Sequence, residues 1–206
     1  MIILRLHLLA LFFLSSLDAQ GLITKQLELD AGKKYGQHAS NRFQDIDASL
    51  LKKLQNASEI KKLNLVNTWV NYVKYGSDKQ VYKKSDYWAT LYEFVGKNRG
   101  DCEDYTIAKY YILKELGINP KKMKFAYVIY KDRRGKKISH MVLVYFRVPK
   151  PKTKNDILIL GNNNRLVLPA SKRKDILKVV KMINGDTGPK SKKWKKLEAN
   201  MKRKKL

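Results

Sequence analysis

The chain has one cysteine in 206 residues. A single thiol forms no intramolecular disulfide, so Cys102 is either a buried hydrophobe or a group kept for its reactivity. Histidine is nearly as scarce, with three residues, and one Cys with so few His at no ligand spacing makes no zinc site. Acidic residues number 18 against 44 basic ones, a formal net charge of +26. That balance predicts attraction to anionic surfaces, with a lysine-rich background as the bland alternative. Nucleic acid is not an expected partner, because an exported protein rarely meets it. The only sustained apolar run, Leu8 to Leu14 after Arg5, is too short to cross a bilayer comfortably and is followed by Ala19. It reads as a secretory signal over residues 1–19, cleaved after Ala19, with an uncleaved anchor as the alternative.

The remaining length suits one domain with a real core. Residues 20–40 are polar and mixed and read as a flexible lead-in. Helical spacing runs from Ile46 to Leu54 and again from Glu59 to Tyr75, with a break at Asn56-Ala57-Ser58. Residues 76–87 read as a polar loop, and Tyr87 to Phe94 as a short aromatic helix. After a turn at Gly96 to Gly100, the spacing of Tyr105, Ala108, Ile112 and Leu116 predicts a helix from Cys102 to Leu116, stopped by Gly117 and Pro120. Four β-prone segments follow: Lys124–Tyr130, Ser139–Arg147, Asp156–Leu160 and Leu166–Leu168, the first two joined by a turn at Asp132 to Gly135. A last ordered stretch lies near Ile176 to Ile183. Residues 186–206 hold nine basic and two acidic residues and read as a mobile tail. Helices first and an antiparallel sheet second define an α+β domain over 41–185.

Cys102 sits between carboxylates where a glycine-marked turn becomes a helix. The helix dipole favours a thiolate there, whereas Asp101, Glu103 and Asp104 oppose it. A bound cation would resolve that conflict, and three carboxylates beside a glycine turn suit Ca²⁺; the alternative is an ordinary acidic helix start. The partner base is His140, which opens the strand Met141 to Tyr145, whereas His38 lies in an irregular polar stretch.

The run Asn98-Arg99-Gly100-Asp101-Cys102-Glu103-Asp104-Tyr105-Thr106-Ile107-Ala108-Lys109, together with Ser85 to Phe94, His140 to Leu143 and Leu168 to Ser171, resembles the bacterial transglutaminase-like cysteine proteinases of LapG type. The resemblance runs from about Asn64 to Asp175. It implies a papain-like, transglutaminase-like core and a periplasmic, calcium-dependent endopeptidase. Such an enzyme clips the N-terminal retention region of a large surface adhesin and disperses biofilm. An inner-membrane cyclic di-GMP receptor is implied as the partner that sequesters it. Carried over, Cys102 is the nucleophile and His140 the base. Asp101 and Glu103 are calcium carboxylates with Asp104 adjacent, and Trp88 lines the substrate groove or packs on the catalytic helix.

The third position departs from the family. Where its strand ends in Leu-Asp-Asn-Leu, this chain has Leu160-Gly161-Asn162-Asn163. Three outcomes stay open: Asn162 orients the histidine, a displaced carboxylate such as Asp156 does so, or the chain is an impaired homologue that binds adhesin or receptor without cutting. A further alternative is a basic, anion-binding surface protein whose tail carries the function.

Overall fold

The computed structural model describes residues 21–206, so the expected signal segment lies outside the described residues. Helices α1 (Lys25–Tyr35) and α2 (Gln37–Asp45) open the chain, and α2 runs on through a wider turn over Ile46–Lys52. Residues expected as a flexible lead-in are therefore helical. Thr24 caps α1 by accepting from Leu27 N at 3.2 Å, and Leu27, Ala31, Ala39 and Phe43 are buried at helical spacing. Sparse apolar residues among many polar ones hid a stripe that is narrow but complete.

Helix α3 (Glu59–Val70) starts at the Ser58 cap. It ends earlier than its periodicity predicts, because Lys74–Tyr75 leaves as a short strand, β1. β1 pairs in parallel with β2 (Arg99–Gly100), and Gly76 N extends the pairing to Gly100 O at 2.9 Å. Between them lie α4 (Asp78–Val81), inside the expected loop, and α5 (Leu91–Lys97). α5 begins at a Thr90–Glu93 capping box and ends on Asn98 in the left-handed region. Helix α6 (Cys102–Glu115) follows β2 after one residue.

The second half is one antiparallel sheet of β3 (Met123–Lys131), β4 (Lys137–Phe146), β5 (Ile157–Leu160), β6 (Leu168–Pro169) and β7 (Ile176–Asn184), ordered β6-β5-β4-β3-β7. β4 is central and buries both faces. Met141, Leu143 and Tyr145 join the main core under the helices, while Val142 and Val144 join a smaller cluster with Ala126, Val128 and Ile159 on the other face.

The expected mobile tail is instead ordered. Ser191 caps α7 (Lys192–Lys202), accepting from Trp194 N at 3.1 Å. Trp194, Leu197 and Met201 form a buried stripe within the lysines. The Trp194 ring packs against Trp88, Tyr110, Tyr111 and Phe125 at centroid distances of 5.2–6.3 Å. No described helix is long and apolar enough to cross a membrane. Trp194→Ala should lower unfolding stability by about 3–5 kcal/mol, measured by urea denaturation of the mature protein; a mobile tail would give no change.

Candidate active site

The β1–β2 pairing sets the geometry. It places Asp78, three residues beyond β1, beside Asp101, the residue that follows β2. Carboxylate oxygens of Asp78, Asp101 and Asp104 all lie within 4.8 Å of one another. Asp101 and Asp104 close a reciprocal capping box on the first turn of α6. Asp104 also accepts from Ala89 N at 2.8 Å, and Asp78 from Tyr87 N at 2.6 Å. The loop carrying Tyr87-Trp88-Ala89 is thus hooked to the carboxylates at both ends. Gly100 is needed for this closeness, since a Cβ there would stand 2.6 Å from Asp104 Oδ2 and 2.6 Å from the Phe94 ring.

Burial of three like charges raises their affinity for protons. Desolvation first, then Glu103 and Asp78, pushes Asp101 up to about 8. Desolvation and then the Asp101 charge push Asp104 well up, and desolvation also raises Asp78. Asp78 Oδ1 and Asp101 Oδ1 are buried without hydrogen-bond partners. Three clustered carboxylates, two of them with an orphaned oxygen, fit a hard cation such as Ca²⁺.

The sequence-derived metal set is thereby revised. Asp101 and Asp104 belong to the cluster, and Asp78 joins them although it lies far away in sequence. Its one local signal was the Ser77-Asp78-Lys79-Gln80 capping pattern, which sets a helix start and says nothing of a ligand. Glu103 lies outside the mutually close set but borders it: its Oε2 accepts the Cys102 thiol at 2.7 Å, and its charge raises Asp101.

Cys102 is half-buried at the N-terminus of α6 and, with Trp88, Glu103, Tyr127 and His140, lines a cleft of about 410 Å³. Trp88 is 7% exposed, lines this cleft, and packs edge-on against Trp194 of α7. Desolvation, reinforced by the charge and hydrogen bond of Glu103, pushes the Cys102 thiol strongly up, while the backbone N–H of Met141 works the other way. His140 is pushed down to about 4 by burial, then by the Arg173 and Lys109 charges, with Asp175 opposing them. In the metal-free protein both shifts favour a neutral thiol and a neutral imidazole.

His140 Nε2 and Asn162 Oδ1 are both buried without a partner. Asn162 thus does not bond His140; it lines a separate cleft with Asn71, Tyr130 and Asp175. Asp156 is not the replacement either, because its carboxylate accepts from the Lys152 and Thr153 N–H groups and the Thr153 hydroxyl. At Gly161 a Cβ would stand 2.6 Å from Asn163 Oδ1, 3.4 Å from Val142 Cγ1 and 3.6 Å from Arg173 Nη1. Asn163 and Arg173 crowd the space a side chain at 161 would enter. The carboxylate whose field reaches His140 is Asp175, clamped by Arg173 at 2.8 and 2.9 Å.

A cysteine at a helix start and a histidine on an adjacent central strand, facing one cleft, define a thiol-nucleophile fold of transglutaminase-like type. The chain belongs to the bacterial transglutaminase-like cysteine proteinases, whose family model (Bacterial transglutaminase-like cysteine proteinase BTLCP) it matches over residues 33–201. It is similar to Legionella pneumophila LapG, with 27% identity, a TM-score of 0.68, and coverage of 91% of this chain and 100% of that one. Calcium-bound LapG of the same organism matches at 26% identity and TM-score 0.66, covering 88% and 99% of the two chains. EGTA-treated LapG matches at 27% and 0.67, covering 91% and 100%. No curated protein matches the chain.

The raised carboxylates fix a pH response for the metal-free protein. At these carboxylates the folded state binds protons that the unfolded state releases, so their contribution to stability is greatest below the ordinary carboxylate range and falls as pH rises towards 8. Thermal melts in a chelator from pH 5 to pH 8 should show a declining midpoint, and Asp78→Asn should flatten the decline.

Proposed function

We propose that this protein is an exported, periplasmic, Ca²⁺-dependent cysteine endopeptidase that cuts the N-terminal region of a large surface adhesin, releasing the adhesin and promoting biofilm dispersal. The observation that carries the reading is the shared cleft of Cys102 and His140 beside the three-carboxylate cluster. Membership of the proteinase family supports the chemistry. The likeness to LapG in calcium-bound and EGTA-treated forms supports the metal. An inner-membrane cyclic di-GMP receptor is the proposed sequestering partner.

In this reading the Cys102 thiol leaves Glu103 and gives its proton to His140. The thiolate sulfur attacks a peptide carbonyl carbon. The backbone N–H of Cys102, at the start of α6, donates to the developing oxyanion. His140 returns the proton to the leaving amine, and water then hydrolyses the thioester to free the acid and the thiol. Asp78, Asp101 and Asp104 would hold the calcium ion, whose charge offsets theirs.

One observation favours a second reading, a catalytically impaired homologue that binds adhesin or receptor. His140 has no orienting partner at Nε2, and buried cations oppose its protonation. Incubation of the mature protein with an adhesin N-terminal fragment separates the two. The endopeptidase cleaves it, loses cleavage in chelator and in Cys102→Ala, and loses about 10²–10⁴-fold in kcat/KM in His140→Ala. Retention of the intact fragment by wild type and Cys102→Ala alike supports the binder. In the same preparation, Asp78→Asn should remove the rise in thermal midpoint that calcium gives the wild type.

A further inference from the structure

The cleft that holds Cys102 has two walls that the chemical steps leave unused. One is β7, the edge strand of the sheet. Its residues 181 and 183 share a face. Ile183 packs against the main core, so Lys181 points to the helix side of the sheet and lines the cleft. Its neighbour Val180 lines the same cleft and is 59% exposed. Consecutive strand residues point to opposite faces unless a bulge intervenes. The β3–β7 register supplies one: Tyr127 pairs with Lys181 and Val128 with Val179, which leaves Val180 as the extra residue.

The second wall is the segment that leads into α7. Gly188, at φ 60°, turns the chain over Trp194, whose indole leaves no room for a Cβ there. Gly188 N also donates to Asn184 O at 2.9 Å, which ties the segment to the end of β7. Pro189 is buried, and Lys190 is exposed at the cleft. Lys193 lines the cleft too but is already engaged: it pairs with Asp86 and lies 4.9 Å from the Trp88 ring centroid. Lys181 and Lys190 have no carboxylate within ion-pair distance among the described residues. Three lysines thus line the cleft against one carboxylate, Glu103, which already accepts the thiol. Between them lie apolar groups, among them Trp88, Tyr127, Met141 and Ile183.

We propose that this cleft selects an acidic peptide, an extended segment whose apolar side chains enter the cleft and whose flanking Asp or Glu residues meet Lys181 and Lys190. The peptide's carboxylates supply the counter-charge that the chain's own residues withhold from these two ammonium groups. A lysine-rich surface attracts acidic chains everywhere, but these two free cations stand on separate elements around the cavity that holds the thiol. Cleavage of the bound peptide rests on the protease reading, whereas its binding does not.

The binding test uses the mature Cys102→Ala protein with calcium and three fluorescein-labelled peptides that share one apolar centre and carry Glu, Gln or Lys flanks. Polarisation should show the Glu peptide bound about 3–10-fold more tightly than the Gln peptide, and the Lys peptide most weakly. Raising the salt should shrink the preference. Lys181→Glu and Lys190→Glu should each erode it and together reverse it towards the Lys peptide. Lys114→Glu, in the last turn of α6 far from Cys102, makes the same change of charge and should leave it intact. Equal affinity for the Glu and Gln peptides, binding of none of the three, or equal erosion in Lys114→Glu overturns the proposal. With Cys102 restored, the preference should appear in KM rather than kcat. Cutting of the Glu and Gln peptides with one KM removes the acidic selection and keeps the protease. A wild type that shows the preference yet leaves the peptides and the adhesin fragment intact keeps the site and removes the protease reading.

Discussion

The convergence of Asp78, Asp101 and Asp104 at the start of α6 is the constraint on which the rest of the site depends. The three carboxylates have one origin, the two-residue parallel pairing that ties the segment after α3 to the turn before Cys102. They cap the helix that presents the thiol, and they accept from the Tyr87 and Ala89 N–H groups to hold the loop that carries Trp88. The same groups repel one another in a poorly solvated place, so the geometry that orders the nucleophile also raises its proton affinity. A cation among them would relieve the repulsion, and so would link a metal to the thiol's proton affinity.

The opposite imbalance lies beyond the imidazole. Arg173 is locked by Asp175 and Asn163, and Lys109 is enclosed by the core. Their charges disfavour a positive His140, just as Glu103 and Asp101 disfavour a negative Cys102. A sulfur–imidazolium ion pair needs the reverse on both sides. The resting arrangement, with the thiol donating to Glu103, satisfies local electrostatics at the expense of reactivity.

Much of this was legible in the sequence where one pattern dominated its neighbourhood. Helix α6 had a clean stripe and a glycine stop, and the β3–β4 hairpin had its turn residues, so both sit within a residue or two of expectation. The pairing of Cys102 with His140 followed from scarcity, since few other residues of either type competed. Helices α1, α2 and α7 were missed because short apolar stripes were outnumbered by polar and lysine residues, yet three anchors at helical spacing, such as Trp194, Leu197 and Met201, suffice against an existing core. Asp78 was invisible for a different reason: its place in the carboxylate cluster depends on a long-range pairing of two-residue strands, too short to leave a β pattern.

Gly161 shows how a local loss spreads through a packed structure. A glycine at this strand end does not leave simple space, because Asn163 Oδ1 lies within contact distance of where the Cβ would stand and Arg173 Nη1 lies 3.6 Å from it. Neither supplies what an orienting carboxylate supplies, an acceptor with negative charge for His140 Nε2. Asp175 supplies the charge, but both its oxygens already accept hydrogen bonds from Arg173. Charge and hydrogen-bond acceptance, which one carboxylate would combine, are here divided between different groups, and neither reaches the imidazole nitrogen.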